Sequence, residues 1–177
     1  MATWTCGCCG EEHESLPDSF AFGEPFQWNL AWNDSLPENC YLDTDYCMIE
    51  SRDYFIRATL EIPVEGRETP FVFGVWSSLS EVNYDRALTM ADDPARVNEP
   101  AYFGWLSNRI WQYPDTLNLK CRVISRELGI RPYLELEPTD HPLSVELRNG
   151  ISFARFVELS TQCLHGWSHP ESQAHRG

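Results

Sequence analysis

Residues 54–62, which read Tyr-Phe-Ile-Arg-Ala-Thr-Leu-Glu-Ile, decide the fold class of this chain. Apolar side chains stand at every second position from Tyr54 to Ile62, and polar ones alternate with them except at Phe55. A period of two over this length is typical of a β-strand with one buried face. The chain therefore contains at least one strand that needs a sheet and a core to cover it.

The flanking sequence predicts that this strand belongs to a hairpin. Residues 71–76, Phe-Val-Phe-Gly-Val-Trp, are apolar on both faces, which is typical of a central strand. Residues 63–70 begin and end with proline and predict the connecting loop, and a short apolar run at 47–49 precedes the hairpin. We therefore predict a first hairpin unit over about 46–79.

A second hairpin and two helices follow along the chain. Residues 119–137 alternate polar and apolar side chains on both sides of Gly129, which predicts two further strands. Capping serines and helical spacing of apolar residues predict helices at about 81–92 and 153–165, the second ending at Gly166.

The remaining segments complete an α+β prediction. Short helices are predicted near 25–32 and 142–148, and residues 94–117, with three prolines, are predicted to be a long ordered connection. Hairpins with helices at their ends imply an α+β fold with a mainly antiparallel sheet. We expect one domain over 1–166 and a flexible tail over 167–177.

Composition excludes several classes of function. The chain has 177 residues and a formal net charge of −14, so it lacks the basic surface that nucleic-acid binding needs. Residues 1–51 hold ten acidic side chains and no Lys or Arg, which suits either a solvated face or a surface for a cationic partner.

No segment resembles a signal peptide or is long enough to span a membrane. Seven cysteines, an odd number, fit a reducing compartment, so we expect a cytoplasmic protein.

The sharpest local motif is Cys6-x2-Cys9-x3-His13. Two thiolates at this spacing can bind one ion in a tight turn, Gly10 lets the backbone curl, and His13 can close a third side. The motif predicts a structural Zn²⁺ site, because thiolate-rich zinc sites are usually closed. The alternative is a set of free cysteines near an exposed histidine.

Zinc needs a fourth ligand, and Cys47 at the start of the predicted sheet is the first candidate. Cys8 and Cys40 are the alternatives. Such a site would make residues 1–50 a loop-rich, zinc-knuckle-like segment that packs on the sheet and is ordered by the metal.

Motifs along most of the chain resemble one bacterial family. They are Cys6-x2-Cys9-Gly10-x2-His13-x2-Leu16-Pro17, Asp45-x-Cys47, Phe55-Ile56-Arg57, Leu60-Glu61-Ile62-Pro63, Trp76-x2-Leu79-Ser80-Glu81, Tyr102-Phe103-Gly104-Trp105-Leu106, Tyr113-Pro114-Asp115-Thr116-Leu117-Asn118-Leu119, His141-Pro142-Leu143 and Asn149-Gly150-Ile151. Together they resemble domain of unknown function 2199 over about residues 4–165. The resemblance implies a single-domain bacterial protein with no established activity. It also implies that Cys6, Cys9, His13 and Cys47 form one site.

A second candidate site combines polar side chains with aromatics in the 105–118 segment. Trp105, Arg109, Asp115 and Asn118 lie in an irregular connection, and His141 follows later in the chain. Binding clefts are often built this way. The alternative is a buried aromatic plug in which Asp115 caps its own turn.

Glu135, Glu137, Asp140 and His141 form a further cluster with two interpretations. A histidine oriented by carboxylates can act as an acid or a base. The two glutamates also alternate with leucines, so they equally fit the solvent side of a strand.

The leading hypothesis is a zinc-stabilised binding or interaction module for a protein or small-molecule partner. A hydrolase or transferase is the first alternative, and it requires Arg109, Asp115 and His141 to converge in one pocket. An immunity-type inhibitor, whose acidic face blocks a basic toxin, is the second.

Overall fold

The computed structural model describes residues 4–5, 10–13, 15–31 and 38–165. The strands are β1 (Trp4–Thr5), β2 (Glu12–His13), β3 (Ser19–Ala21), β4 (Tyr41–Leu42), β5 (Tyr46–Ile49), β6 (Asp53–Ile62), β7 (Phe71–Leu79), β8 (Tyr102–Trp105), β9 (Lys120–Ile124) and β10 (Tyr133–Leu136). The helices are α1 (Phe26–Ala31), α2 (Glu81–Thr89), α3 (Pro142–Asn149) and α4 (Phe153–His165), with a 3-10 helix at Pro94–Asn98.

The α+β prediction is confirmed, but the sheet is mixed rather than purely antiparallel. Its order is β3-β7-β6-β10-β9-β8, with β5 also on β6 and β4 on β5. Both predicted hairpins form, as β6–β7 and β9–β10, whereas β3–β7 and β6–β10 are parallel pairs. Alternation along a strand predicts local hairpins only. The relative direction of two hairpins depends on the connection between them, which the pattern does not encode.

The alternation in β6 corresponds to one deeply buried face. Every second side chain from Tyr54 to Ile62 is at most 8% exposed and belongs to the main core. Phe55 breaks the sequence pattern because the opposite face is also covered there, and it packs in a second cluster with Cys47, Ile49 and Trp76. Partly buried side chains from α1 pack against this second cluster. The central strand β7 contributes to both clusters.

The 94–117 segment was predicted to lack regular structure, and this is wrong for β8. Residues 102–105 pair with β9, and Leu106 forms an antiparallel bridge with Ser77 of β7. The sheet therefore curves so that its last strand returns to the side of β7. Buried and exposed positions alternate along β8. The exposed ones are Phe103 and Trp105, so polar and apolar residues do not alternate in the sequence, and the pattern that identifies a half-buried strand is missing.

The helices agree closely with the predicted boundaries. α4 covers 153–165 as predicted, and α2 ends at Thr89, with Met90 as its C-cap, rather than near residue 92.

The tail predicted over 167–177 lies outside the described residues. Within the described part of the chain, none of the helices combines the length and apolarity that crossing a membrane requires.

Candidate functional site

The N-terminal segment contains a small hairpin that carries the zinc motif. Trp4 pairs with His13 and Thr5 with Glu12, so residues 6–11 connect the two strands. Gly10 has a φ of 73°, a left-handed conformation that glycine adopts without strain and that lets the backbone turn. The predicted ligands Cys6 and Cys9, and the alternative Cys8, lie outside the described residues.

His13 lies beside a second histidine. Its ring centroid is 5.7 Å from that of His165, with an angle of 62° between the ring planes. His165 is the last residue of α4, and the same helix binds the N-terminal segment where Ser160 Oγ donates to the Pro17 carbonyl at 2.6 Å. The sequence motifs did not single out His165, because it stands more than a hundred residues beyond His13.

Cys47 is in a different environment. It is fully buried in β5 and belongs to the second cluster. This cluster, which includes Trp76 of β7, lies on one face of the sheet, whereas α4 packs on the opposite face. Burial raises the pKa of the Cys47 thiol to about 12. The alternative ligand Cys40 packs at the edge of this cluster.

No group of three or more His, Cys, Asp or Glu side chains within the described ranges could hold a metal ion. This result does not extend to the cysteines of residues 6–9. The zinc-knuckle part of the fold prediction is not shown by the described residues.

In the 105–118 segment, the structure brings Arg109 and Asp115 together. Arg109 Nε lies 3.6 Å from Asp115 Oδ1, and both side chains are more than half exposed. Asp115 Oδ1 also accepts a hydrogen bond from the Leu117 amide at 3.2 Å, which is the turn-capping role considered as the alternative. Trp105 packs edge-on against Phe103.

Asn118 and His141 have local structural roles. The Asn118 amide, at a φ of 62°, donates to the Leu106 carbonyl at 2.8 Å. His141 is the N-cap of α3, where its Nδ1 accepts from the Leu143 amide at 3.2 Å, and its Nε2 lies 3.3 Å from the Pro114 carbonyl oxygen. His141 is thus close to the 105–118 segment, but both of its ring nitrogens already contact the backbone.

Asn108 organises this segment, and sequence reasoning missed it. It is 2% exposed, its Oδ1 accepts from the Trp76 amide at 2.7 Å, and its Nδ2 donates to the Glu24 carbonyl at 2.9 Å. The fully buried Thr116 Oγ1 donates to the Asn108 carbonyl at 2.7 Å. These bonds fix the connection to the sheet and to the N-terminal segment.

The acidic residues in β10 and just after it face solvent. Glu135 forms an ion pair with Arg122, and Glu137 lies 3.8 Å from Lys120 across the β9–β10 hairpin, with all four side chains at least 42% exposed. Asp140 is exposed as well. This arrangement corresponds to the solvent-side interpretation of the cluster.

A cleft that no sequence motif indicated lies where two strands share one edge of β6. β5 pairs with the first half of β6 as far as Tyr46 opposite Ile56, and β10 pairs with it at Thr59. The sheet forks between these two strands, and a cleft of about 740 Å³ lies at this point. We call it the fork cleft. Four arginines line it, and they come from separate parts of the chain: Arg57, Arg96, Arg126 and Arg131.

Comparison with known proteins identifies the family of this chain. A family model described as an uncharacterized protein conserved in bacteria, DUF2199, matches residues 5–151. No curated protein gives a significant match to the sequence. No solved structure gives a significant match either. Because the family model covers most of the chain, this chain belongs to the DUF2199 family of uncharacterized proteins conserved in bacteria.

Proposed function

We propose that this chain is a binding module stabilised by one structural zinc ion, which Cys6, Cys9, His13 and His165 hold. The observation that carries the proposal is the separation of 5.7 Å between the His13 and His165 ring centroids. With Zn–N distances near 2 Å, two imidazoles on one tetrahedral ion have centroids roughly 5–6 Å apart. The separation therefore fits two histidines that share a zinc ion.

The proposal takes His165 in place of Cys47 as the fourth ligand. Cys47 is fully buried among Ile49, Phe55 and Trp76, in the cluster on the sheet face opposite the one that packs against α4. His165, by contrast, already neighbours His13. Two thiolates and two imidazoles form a ligand set that is common in structural zinc sites.

A zinc ion held in this way would connect the β1–β2 hairpin to the end of α4. That helix is anchored on the sheet, where its Phe156 ring packs against Phe71 with centroids 6.0 Å apart. Metal binding supplies folding free energy where a core does not. Four protein ligands leave no open coordination position, so the role is structural rather than catalytic.

Binding, rather than catalysis, is supported by the contacts of the residues considered for chemistry. His141 caps α3 with one ring nitrogen, and the other lies near the Pro114 carbonyl oxygen. Asp115 caps its own turn. A general acid or base needs a ring nitrogen or carboxylate oxygen directed at a substrate, and these groups are directed at the backbone.

Native mass spectrometry of untagged protein tests the zinc proposal. One zinc ion per chain is expected, and His13→Ala and His165→Ala should each lose it. Cys47→Ala is the matched control and should keep the metal, with circular dichroism to verify that each variant is folded. Absence of metal from folded, fully reduced protein would overturn the proposal. Retention of zinc by His165→Ala and its loss from folded Cys47→Ala would instead restore Cys47 as the ligand.

A further inference from the structure

The fork cleft has the dimensions of a small-molecule site. Its volume of about 740 Å³ lies within the range of roughly 300–1,000 Å³ that is usual for ligand pockets. The backbone of β6 changes partner at its edge, since the Arg57 amide donates to the Asp45 carbonyl at 2.8 Å and the Thr59 amide to the Pro132 carbonyl at 2.9 Å. Because adjacent strands diverge here, the concave surface is a direct result of the topology.

Positive charge is concentrated in this cleft. The chain has 13 Lys and Arg residues against 27 acidic ones, yet four of the 13 line the fork cleft. Guanidinium groups present planar pairs of donors that match carboxylate and phosphate oxygens. Such a cluster in an acidic protein needs counter-charges, and these come either from the chain or from a ligand.

Two of the four arginines are neutralised by the chain itself. Arg126 Nη2 donates to Glu61 Oε1 at 2.7 Å and to Thr59 Oγ1 at 2.6 Å. Arg131 Nε donates to Asp45 Oδ1 at 2.7 Å. These two pairs line the cleft and hold the 125–132 loop against β6 and against the start of β5.

The other two, Arg57 and Arg96, have no carboxylate within ion-pair distance in the described part of the chain. Arg57 Nη1 donates to the Thr44 carbonyl at 3.3 Å, and Arg96 Nη1 donates to the Ala91 carbonyl at 2.9 Å. Arg57 Nε is buried and has no acceptor among the described residues. Neither guanidinium group therefore has a carboxylate partner among the described residues, and Arg57 Cζ lies 5.9 Å from the centroid of the Trp76 ring.

The rest of the lining is partly apolar. Ile56, Ile130 and Pro132 contribute hydrocarbon surface, and Tyr46 contributes an aromatic ring. Ile130 is 47% exposed. These side chains give an organic ligand apolar surface to pack against, while seven of the fourteen lining residues are charged.

We propose that the fork cleft binds a small organic anion, whose carboxylate or phosphate group Arg57 and Arg96 hold and whose apolar part lies against Ile130 and Pro132. Asp92, which is exposed, and the paired Asp45 and Glu61 also line the cleft. These carboxylates repel a highly charged ligand, so a singly or doubly charged group on an apolar body fits best. The proposal goes beyond the zinc site, none of whose proposed ligands lines this cleft.

Titrations of the full chain with benzoate, phenyl phosphate and inorganic phosphate test this proposal. Arginine Nε–Hε signals in ¹⁵N NMR spectra are the readout, because the Arg57 Nε group is buried at the site. Saturable binding of benzoate or phenyl phosphate is expected, and the tighter of the two identifies the anionic group. Arg57→Gln and Arg96→Gln should each weaken binding about tenfold or more, since each removes a charge-assisted hydrogen bond.

Arg122→Gln is the matched control, because Arg122 is an exposed sheet arginine paired with Glu135 outside the cleft. It should leave the affinity unchanged. Asp45→Asn should increase the affinity, which keeps the proposal testable if an arginine variant does not fold. Absence of saturable binding of all three probes at millimolar concentration would overturn the proposal. Equal weakening by Arg122→Gln would overturn it too, because binding would then be a general effect of charge.

Discussion

Arg131 and Asp45 form an ion pair across the fork of the sheet, with Arg131 Nε 2.7 Å from Asp45 Oδ1. Asp45 directly precedes β5, and Arg131 lies just before β10, so the pair joins the two strands that share one edge of β6. The backbone of Asp45 also bonds to β6 through its carbonyl oxygen. The pair therefore joins two segments 86 residues apart at the point where the sheet divides.

Removal of this pair should change stability only slightly. Both side chains are more than 40% exposed, and exposed ion pairs contribute about 0.2–1 kcal/mol. We expect Arg131→Gln to lower the free energy of unfolding by less than about 1 kcal/mol in urea titrations, and less at high salt. Arg52→Gln, which removes the ion pairs of a more exposed arginine with its sequence neighbours Glu50 and Asp53, is the control. A loss of several kcal/mol for Arg131→Gln alone would show that the fork depends on this pair.

Gly104 allows β8 to approach β7 closely. A Cβ atom at this position would collide with Ser77 Oγ and with the Ser78 carbonyl oxygen, and the latter belongs to a central strand that cannot move. Gly104→Ala should therefore cost about 1–3 kcal/mol of unfolding free energy, as overpacked sites do. Gly23→Ala is the control, since nothing lies within 4 Å of its Cβ position. Equal stability of the two variants in denaturant titrations would contradict the close packing of β8.

Asn108 should be essential for the 105–118 segment. Its side chain satisfies the Trp76 amide and the Glu24 carbonyl, both far away in sequence. Asn108→Ala leaves these groups without a partner, at about 1–3 kcal/mol for each buried group. The measurement is again unfolding in urea, with Asn98→Ala at an exposed position of the 3-10 helix as control. A change below about 0.5 kcal/mol would mean that water replaces the amide.

How far the sequence predicted the structure depended on the range of each interaction. The β6–β7 hairpin follows from alternation within one continuous stretch, and α4 follows from a cap, an apolar stripe and a terminal glycine. The parallel β6–β10 pair joins Thr59 to Tyr133, and nothing near either residue encodes the other. Sequence patterns therefore predicted local elements well and their relative arrangement less well.

The same reasoning applies to the candidate sites. The spacing of Cys6, Cys9 and His13 could be recognised because these three proposed ligands stand close together in sequence. His165 and the arginines of the fork cleft come from distant segments, and each taken alone is an ordinary surface residue type. Asn108 could have been suspected only as a polar residue inside an apolar connection. Sites assembled by tertiary structure have no signature in one sequence.

The buried thiol of Cys121 should make stability depend on alkaline pH. It is 2% exposed, and burial raises its pKa to about 12, whereas the thiol of an unfolded chain ionises near pH 8.5. Between these values the folded state keeps the proton and the unfolded state loses it. The contribution of the Cys121 thiol to the free energy of unfolding is thus fully present below about pH 8.5 and is lost as the pH rises towards 12.

Cys121→Ala should therefore reduce the decline of unfolding free energy with pH, by up to about 1.4 kcal/mol per pH unit above pH 9. Urea titrations at several alkaline pH values measure this slope. Val123→Ala, at a fully buried position of the same strand, is the control because it lowers stability without removing a titrating group. Parallel curves for the wild type and Cys121→Ala would show that this thiol ionises equally in both states, and the Cys121 side chain would then have to reach solvent.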